Sequence, residues 1–422
     1  MTPQRMPRPR NPMKRPSSSA GGPCATSRAT SAREVRRMVP RKARGTPASE
    51  LLCLAAAPSA DQARTQTVLD SAPDWNEVTR LAADHGLRPA LIELLSAVAW
   101  KHVPDPVRQE LEEFQSRHLL RMLEVAEELA QAARDFIAHG IPFAHFKGPA
   151  LSTQLYRQLA AREFNDVDLI VPPRHAERAE RVLAERGYRP AFADPRFRRF
   201  FQGYQGQCAF RRPGSTASLD LHWSFSGSFL PFPLRGDEIW HRLTNVSIAG
   251  VEVPTLQPDD VALLLAGHGT KEGWRSLMWL RDFAFVVVRW PELDWIAIHR
   301  RAARNGCGDA VLLACALAER ILAVPVPMAL VPILAAGARV GPLTASLADR
   351  LCSGSGDRRH LGDLALCDRF RDRLGAGLGF ALSPTPGDFG ALPLPRPLWP
   401  AYYLLRPVRL ASKALRGTLP LP

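Results

Sequence analysis

One short run constrains this chain more than any other: Asn165-Asp166-Val167-Asp168-Leu169-Ile170-Val171, halted by Pro172-Pro173. Its alternation predicts a β-strand, on which residues two apart share a face. Val167, Leu169 and Val171 then point into a core, while Asp166 and Asp168 project together from the other side. Adjacent carboxylates repel, and burial makes it harder to keep both ionised. A strand that holds such a pair calls for a cation between them, and hard oxygen donors suit Mg²⁺ or Mn²⁺. On its own this pattern also fits a solvated strand edge, so its surroundings decide.

Two features of the surroundings favour the cation. Ser218-Leu219-Asp220-Leu221-His222-Trp223 reads as a second alternating strand, with Asp220 and His222 on one face and Asp220 as the expected third metal carboxylate. Upstream, a strand expected over 142–146 runs into Lys147-Gly148 and then a helix. Glycine lets backbone approach a phosphate closely, a helix N-terminus offers unpaired N–H donors, and Lys147 adds charge for a triphosphate.

These pieces predict an α+β fold in which a small mixed sheet is covered by helices and flanked by helical regions. The expected organisation is a basic, disordered tail (1–48), an N-terminal helical region (49–140), a catalytic core (141–257), a C-terminal helical region (258–382) and a Pro-rich tail (383–422). A helix capped by Asp74, a long helix from Pro106 to Gly140, and a helix capped by Asp260 belong to this reading. So do helices over 274–288, 295–305, 309–322 and 327–336.

The net charge of +14 looks like a nucleic-acid signal, but twelve Lys/Arg against one acid in residues 1–48 carry +11 of it. The remainder is nearly neutral, which argues against a long nucleic acid as partner. The basic segment has no apolar run, so it is not a secretory signal. It reads as a tail or as a start assigned too far upstream, and fits a transit peptide only loosely. The seven cysteines form no CxxC pair and do not cluster with histidines, which argues against a disulfide framework or zinc site and points to a reducing cytoplasm. No uncharged apolar stretch reaches 18 residues, so no membrane span is expected.

The motifs resemble a known family. His145-Phe146-Lys147-Gly148-Pro149-Ala150-Leu151, Tyr156, Arg162, the Asp166–Val171 run, Gly187-Tyr188 and Asp220-Leu221-His222-Trp223 are similar to the uncharacterised bacterial nucleotidyltransferases of the DNA polymerase beta-like superfamily. So are His268-Gly269-Thr270-Lys271 with Trp274, Leu277 and Asp282, and the tail from Leu392 to Leu410. The likeness spans roughly 50–416. It implies metal-dependent transfer of a nucleoside monophosphate from an NTP to an acceptor. Asp166, Asp168 and Asp220 would be the catalytic metal ligands, with Asp220 deprotonating or orienting the acceptor hydroxyl. Lys147, Gly148, Arg162 and Lys271 would meet the nucleotide. The chain departs from the superfamily pattern at Pro149, which has no N–H to give a phosphate. A hydroxyl ligand is also missing unless Ser152 or Thr153 supplies it, and Asn165 stands where a glycine is expected.

Several residues carry two readings. Arg162 contacts phosphate or pairs with the carboxylates, and His222 orients substrate or covers the sheet. His268, Lys271 and Arg275 form either a ligand-binding helix face or a solvated one. Trp274, Trp279, Trp290 and Trp295 read as core, and Asp282 as structural. Arg196, Arg198 and Arg199, interleaved with Phe197, Phe200 and Phe201, suit a single strand or an exposed loop. The acceptor is left open among a small molecule, a protein and an RNA end. Rival functions are a non-catalytic nucleotide-sensing or partner-binding member, and a toxin-like transferase acting on tRNA or protein.

Overall fold

The computed structural model of the chain describes residues 45–59, 61–191, 200, 203–353 and 367–415. The basic segment through residue 44 lies outside them, as do Arg196, Arg198, Arg199, Phe197 and Phe201.

Five helices open the described chain: α1 (Pro47–Ala56), α2 (Gln62–Asp70), α3 (Trp75–His85), α4 (Arg88–Ala97) and α5 (Asp105–Ala138). Helix α1 starts inside the stretch expected to be tail, with the Thr46 hydroxyl accepting from the Ser49 N–H. The Asp74 carboxylate caps α3 by accepting from the N–H groups of Asn76 and Glu77. Helix α5 has 34 residues, about 50 Å at 1.5 Å per residue, and joins two cores. Leu111 near its start packs in the helical cluster, whereas Met122 to Phe136 cover the sheet.

The central segment holds β1 (Ala144–His145), α6 (Gly148–Tyr156), β2 (Asp166–Ile170), α7 (Ala176–Glu185), β3 (Arg189–Pro190), β4 (Gln207–Arg211) and β5 (Ser218–His222). They build a mixed five-stranded sheet in the order β1-β2-β5-β4-β3. Strands β2 and β5 run parallel, and the other pairs are antiparallel. The strand alternation is kept: Val167, Leu169, Leu219, Leu221 and Phe210 share one core with α5 and α7, while Ile170 belongs to the other. A second hairpin, β6 (Thr244–Ile248) and β7 (Val251–Thr255), has no counterpart among the sequence expectations. Its signal was Ala249-Gly250, which turns with φ of 46° and 74° between two alternating runs.

The remaining helices are α8 (Pro258–Lys271), α9 (Leu277–Arg289), α10 (Trp295–Arg304), α11 (Gly308–Leu322), α12 (Val331–Ala336), α13 (Val340–Ser353), α14 (Phe370–Leu382), α15 (Pro386–Ala391) and α16 (Tyr402–Leu415). Asp260 does not cap α8, which begins two residues earlier. Its buried carboxylate accepts from Arg301 (2.7 Å) and Arg242 (3.2 Å) instead. Helix α9 begins at Leu277 rather than Trp274, because Ser276 provides the cap and Trp274 has φ +49°. The Pro-rich tail is helical: α15, a 3-10 turn over Arg396–Ala401, and α16 follow one another. The helical regions before and after the sheet form one cluster, in which Leu51, Leu52, Leu91, Phe283, Leu313 and Leu347 are buried together. No single helix among the described residues is long and apolar enough to cross a membrane; α13 with the segment Met328–Ala336 makes one bent pair of sufficient composition.

Candidate active site

The parallel pairing of β2 with β5 sets Asp168 directly opposite Asp220 and Ile170 opposite His222. The antiparallel pairing of β5 with β4 sets Ala209 opposite Asp220 and Gln207 opposite His222. With period two, Asp166, Asp168, Asp220, His222 and Gln207 therefore share the sheet face away from α5 and α7.

Asp168 is the centre of this group and is 2% exposed. The His222 Nε2–H donates to its Oδ1 (3.0 Å), and the Lys147 ammonium lies 3.7 Å from the same oxygen. Its Oδ2 is buried and has no hydrogen-bond partner. Burial alone would raise the Asp168 carboxyl, but Lys147, His222 and His145 outweigh it and hold the group well below the usual carboxylate range. Asp166 and Asp220 move the other way. Burial raises both, and the Asp168 charge adds to the rise. One atom from each of Asp168, Asp220 and His222 lies within 4.8 Å of the others, close enough to share a cation. Asp166, expected as a ligand from the sequence, stands half-buried on the same face but outside that trio.

Lys147 and Gly148 lie where the sequence puts them, at the start of α6. Gly148 has φ +43°, and a Cβ there would meet the Asp166 carbonyl oxygen at 3.2 Å and the His145 ring at 3.4 Å. Glycine is required on both counts, and its absence of a side chain lets the α6 N-terminus close over the acid strand. Pro149 takes the second position of the helix and leaves the Gly148 and Ala150 N–H groups as its free donors. Neither candidate hydroxyl substitutes for the missing one: Ser152 donates to the carbonyls of Gln158 (2.9 Å) and Leu159 (3.0 Å), and Thr153 to that of Pro149 (2.9 Å).

Arg162 is drawn elsewhere. It is buried and donates through Nε to Asp282 Oδ2 (2.9 Å), while the Tyr156 hydroxyl donates to Asp282 Oδ1 (2.7 Å). Burial would lower the guanidinium pKa, and Asp282 more than compensates. Arg162 forms no ion pair with Asp166 or Asp168, although its charge still lowers Asp166. Tyr156, Arg162 and Asp282, far apart in sequence, thus tie the strand segment to α9.

Helix α8 brings His268 and Lys271 close to Lys147 and Asp168. Desolvation, then Lys147 and Lys271, push the His268 ring well below its ordinary pKa. Desolvation and Lys147 also lower Lys271, against the opposing pull of Glu272 (3.8 Å). Arg275 does not share their face: it lies beyond the end of α8, exposed, and pairs with Glu272 at 2.7 Å.

Sequence reasoning missed two members of the site. His145 was noted only within its motif, yet its Nδ1–H donates to the Asp168 carbonyl (2.7 Å), and its buried Nε2 has no partner. Gln207 donates to Asp220 Oδ2 at 3.3 Å. Alternation along β4 carried that signal, but only the strand register makes it readable.

The carboxylate face, with a glycine-opened helix and lysine at its edge, lies within a segment that matches a known family. Residues 71–323 match a family described as uncharacterised nucleotidyltransferase. Among solved structures, the chain is similar to the antibiotic-resistance factor ANT(2'')-Ia, with 13% identity and a TM-score of 0.29, over 42% of this chain and 89% of that one. No curated protein matches this sequence. The family match covers well over half of the chain and all the acidic residues of the site, and the chain belongs to this uncharacterised nucleotidyltransferase family.

Proposed function

We propose that the chain transfers a nucleoside monophosphate from an NTP to a hydroxyl-bearing acceptor, using a divalent cation at Asp166, Asp168 and Asp220. The observation that carries this reading is the register of β2 on β5, which sets Asp168 opposite Asp220 and leaves a buried Asp168 oxygen without a protein partner. An oxygen so placed, beside a second carboxylate, fits a hard cation such as Mg²⁺ or Mn²⁺. When bound, the cation neutralises phosphate charge and acidifies the acceptor hydroxyl.

The chain's own groups supply the rest. The α6 N-terminus presents the Gly148 and Ala150 N–H groups to phosphate oxygens, and Lys147 and Lys271 add positive charge beside the acids. His222 and His145 hold Asp168 from its side chain and its carbonyl. The acceptor oxygen attacks the α-phosphorus, the bond to the leaving oxygen breaks, and pyrophosphate departs. Asp220, raised by burial and by Asp168, receives the hydroxyl proton. Arg162 serves this arrangement from behind, as the partner of Asp282 at the root of β2.

A non-catalytic nucleotide-binding role is the rival, favoured by the committed hydroxyls of Ser152 and Thr153. Labelling with the four α-³²P NTPs and Mg²⁺ or Mn²⁺ separates the two. Transfer that disappears in Asp166→Asn/Asp168→Asn supports catalysis. NTP binding without transfer under any condition supports the rival.

A further inference from the structure

We infer that the acceptor is a small, hydroxyl-rich molecule without net positive charge, of sugar or cyclitol type, bound in a cavity that the C-terminal helices close over the β4 side of the carboxylates. The inference rests on the nucleotidyl-transfer reading, which it extends to the acceptor.

The cavity measures about 300 Å³, at the small end of ligand pockets, which run from about 300 to 1,000 Å³. Two of its lining residues connect it to the site. Gln207 forms part of its wall and hydrogen-bonds Asp220, and Lys271 stands on the α8 side. The sheet order gives the geometry a direction. The α6 N-terminus and Lys147 lie beside β1 and β2, so the triphosphate approaches from there. Asp220 on β5 comes next, and Gln207 on β4 lies beyond it. An acceptor hydroxyl reaching Asp220 from the far side comes through this cavity.

Its outer wall comes from a part of the chain beyond the family match, which ends at residue 323. Phe380 and Ser383 at the end of α14, Thr385 before α15, and Arg406 on α16 all line it. The wall is a built feature. A Cβ on Gly379 would overlap the Phe229 ring, so a glycine is what lets α14 close onto the loop after β5. Arg406 donates to the Phe380 carbonyl (3.2 Å), the Thr385 hydroxyl (3.1 Å) and Asp388 (3.0 Å). Asp388 is buried and also accepts from the Thr385 N–H and hydroxyl. The Tyr204 and Tyr403 hydroxyls join the sheet side to α16 by a further hydrogen bond.

The lining states what fits. The amides of Gln205 and Gln207 and the hydroxyl of Ser383 both donate and accept, as sugar hydroxyls require. Phe229 and Phe380 add apolar lining for a ring's C–H groups. Lys271 adds positive charge, Arg406 is paired with Asp388 behind the wall, and no lining residue is a carboxylate. A polycation would meet charge of its own sign there, whereas a neutral or phosphorylated polyol would not.

The test uses the full chain and saturation-transfer NMR with myo-inositol, glucose and glucose 6-phosphate as probes. Kanamycin, hydroxyl-rich but polycationic, is the contrast, and binding of a fluorescent ATP analogue is read in the same samples. At least one of the three probes is expected to bind in preference to kanamycin. Phe380→Ala and the exposed-site variant Gln205→Ala are expected to weaken it roughly tenfold with ATP binding unchanged. The inference is overturned if none of the three binds while ATP does, if kanamycin binds best, or if probe binding ignores both variants. Label transfer to protein or RNA in place of these probes also overturns it. Loss of ATP binding to the wild type would instead strike the underlying function, while probe binding would still decide the cavity.

Discussion

Removing the Asp282 carboxylate tests how the helical module holds the acid strand. Asp282 is wholly buried, Arg162 is 7% exposed, and their contact is 2.9 Å. Asp282→Ala leaves a guanidinium in the interior without its counter-charge and deprives Tyr156 of its acceptor. Breaking a buried pair from one side costs roughly 3–5 kcal/mol. At roughly 2–4 °C per kcal/mol for a folded unit of this size, the melting temperature should fall by about 10 °C. Arg162→Met should cost a similar amount, because the orphan is then the carboxylate. The double variant should cost less than the two single changes together by roughly 2 kcal/mol, since neither charge is left alone. Scanning fluorimetry of the four proteins measures this. A fall of less than about 2 °C in Asp282→Ala, or additive single effects, would refute the assignment of Arg162 to Asp282. Weakened NTP binding in Arg162→Met at unchanged stability would return Arg162 to the phosphate.

The other predictions concern the site. His145 is held neutral by burial, with its pKa pushed down to about 4, while the unfolded chain titrates near 6.5. Its contribution is therefore complete above pH 6.5 and lost as pH falls towards 4, by roughly 3 kcal/mol. In chelator-treated protein, His145→Asn should flatten the wild-type decline between these values, and an unchanged slope would contradict the assignment. Mg²⁺ should raise the melting temperature of the wild type and leave that of Asp168→Asn unmoved; equal responses would mean that the cation binds elsewhere. Thr153→Val should leave NTP affinity within about twofold, because that hydroxyl is spent on the Pro149 carbonyl; a larger loss would make it a phosphate ligand.

The division between what is legible in the chain and what is not follows the range of the interactions. Alternation in Asp166–Val171 and Ser218–Trp223 identifies two strands and the residues on their faces, because strand period depends on local backbone geometry. Asp74 as the cap of α3 is local in the same sense. The failures have non-local causes. Asp260 looks like a cap, but Arg301 and Arg242 from other segments claim its carboxylate. In the Pro-rich tail, Pro386 suits the first turn of α15 while Pro407 lies inside α16, and the two helices pack around Trp399 and Tyr402.

The sequence by itself determined the acidic strand, the glycine-opened helix after Lys147, the α+β class and the family. Each of these is written in short local motifs, the family in several of them spread along the chain. Tertiary structure alone decided which of them meet. It paired Asp168 with Asp220 in register, turned Arg162 away to Asp282, and brought His145 to the Asp168 carbonyl. It also carried Phe380 and Arg406 from the far end of the chain to the cavity beside Gln207. Pairing register and helix docking follow from total burial and hydrogen-bond satisfaction over the whole fold, and no local window of sequence contains that sum.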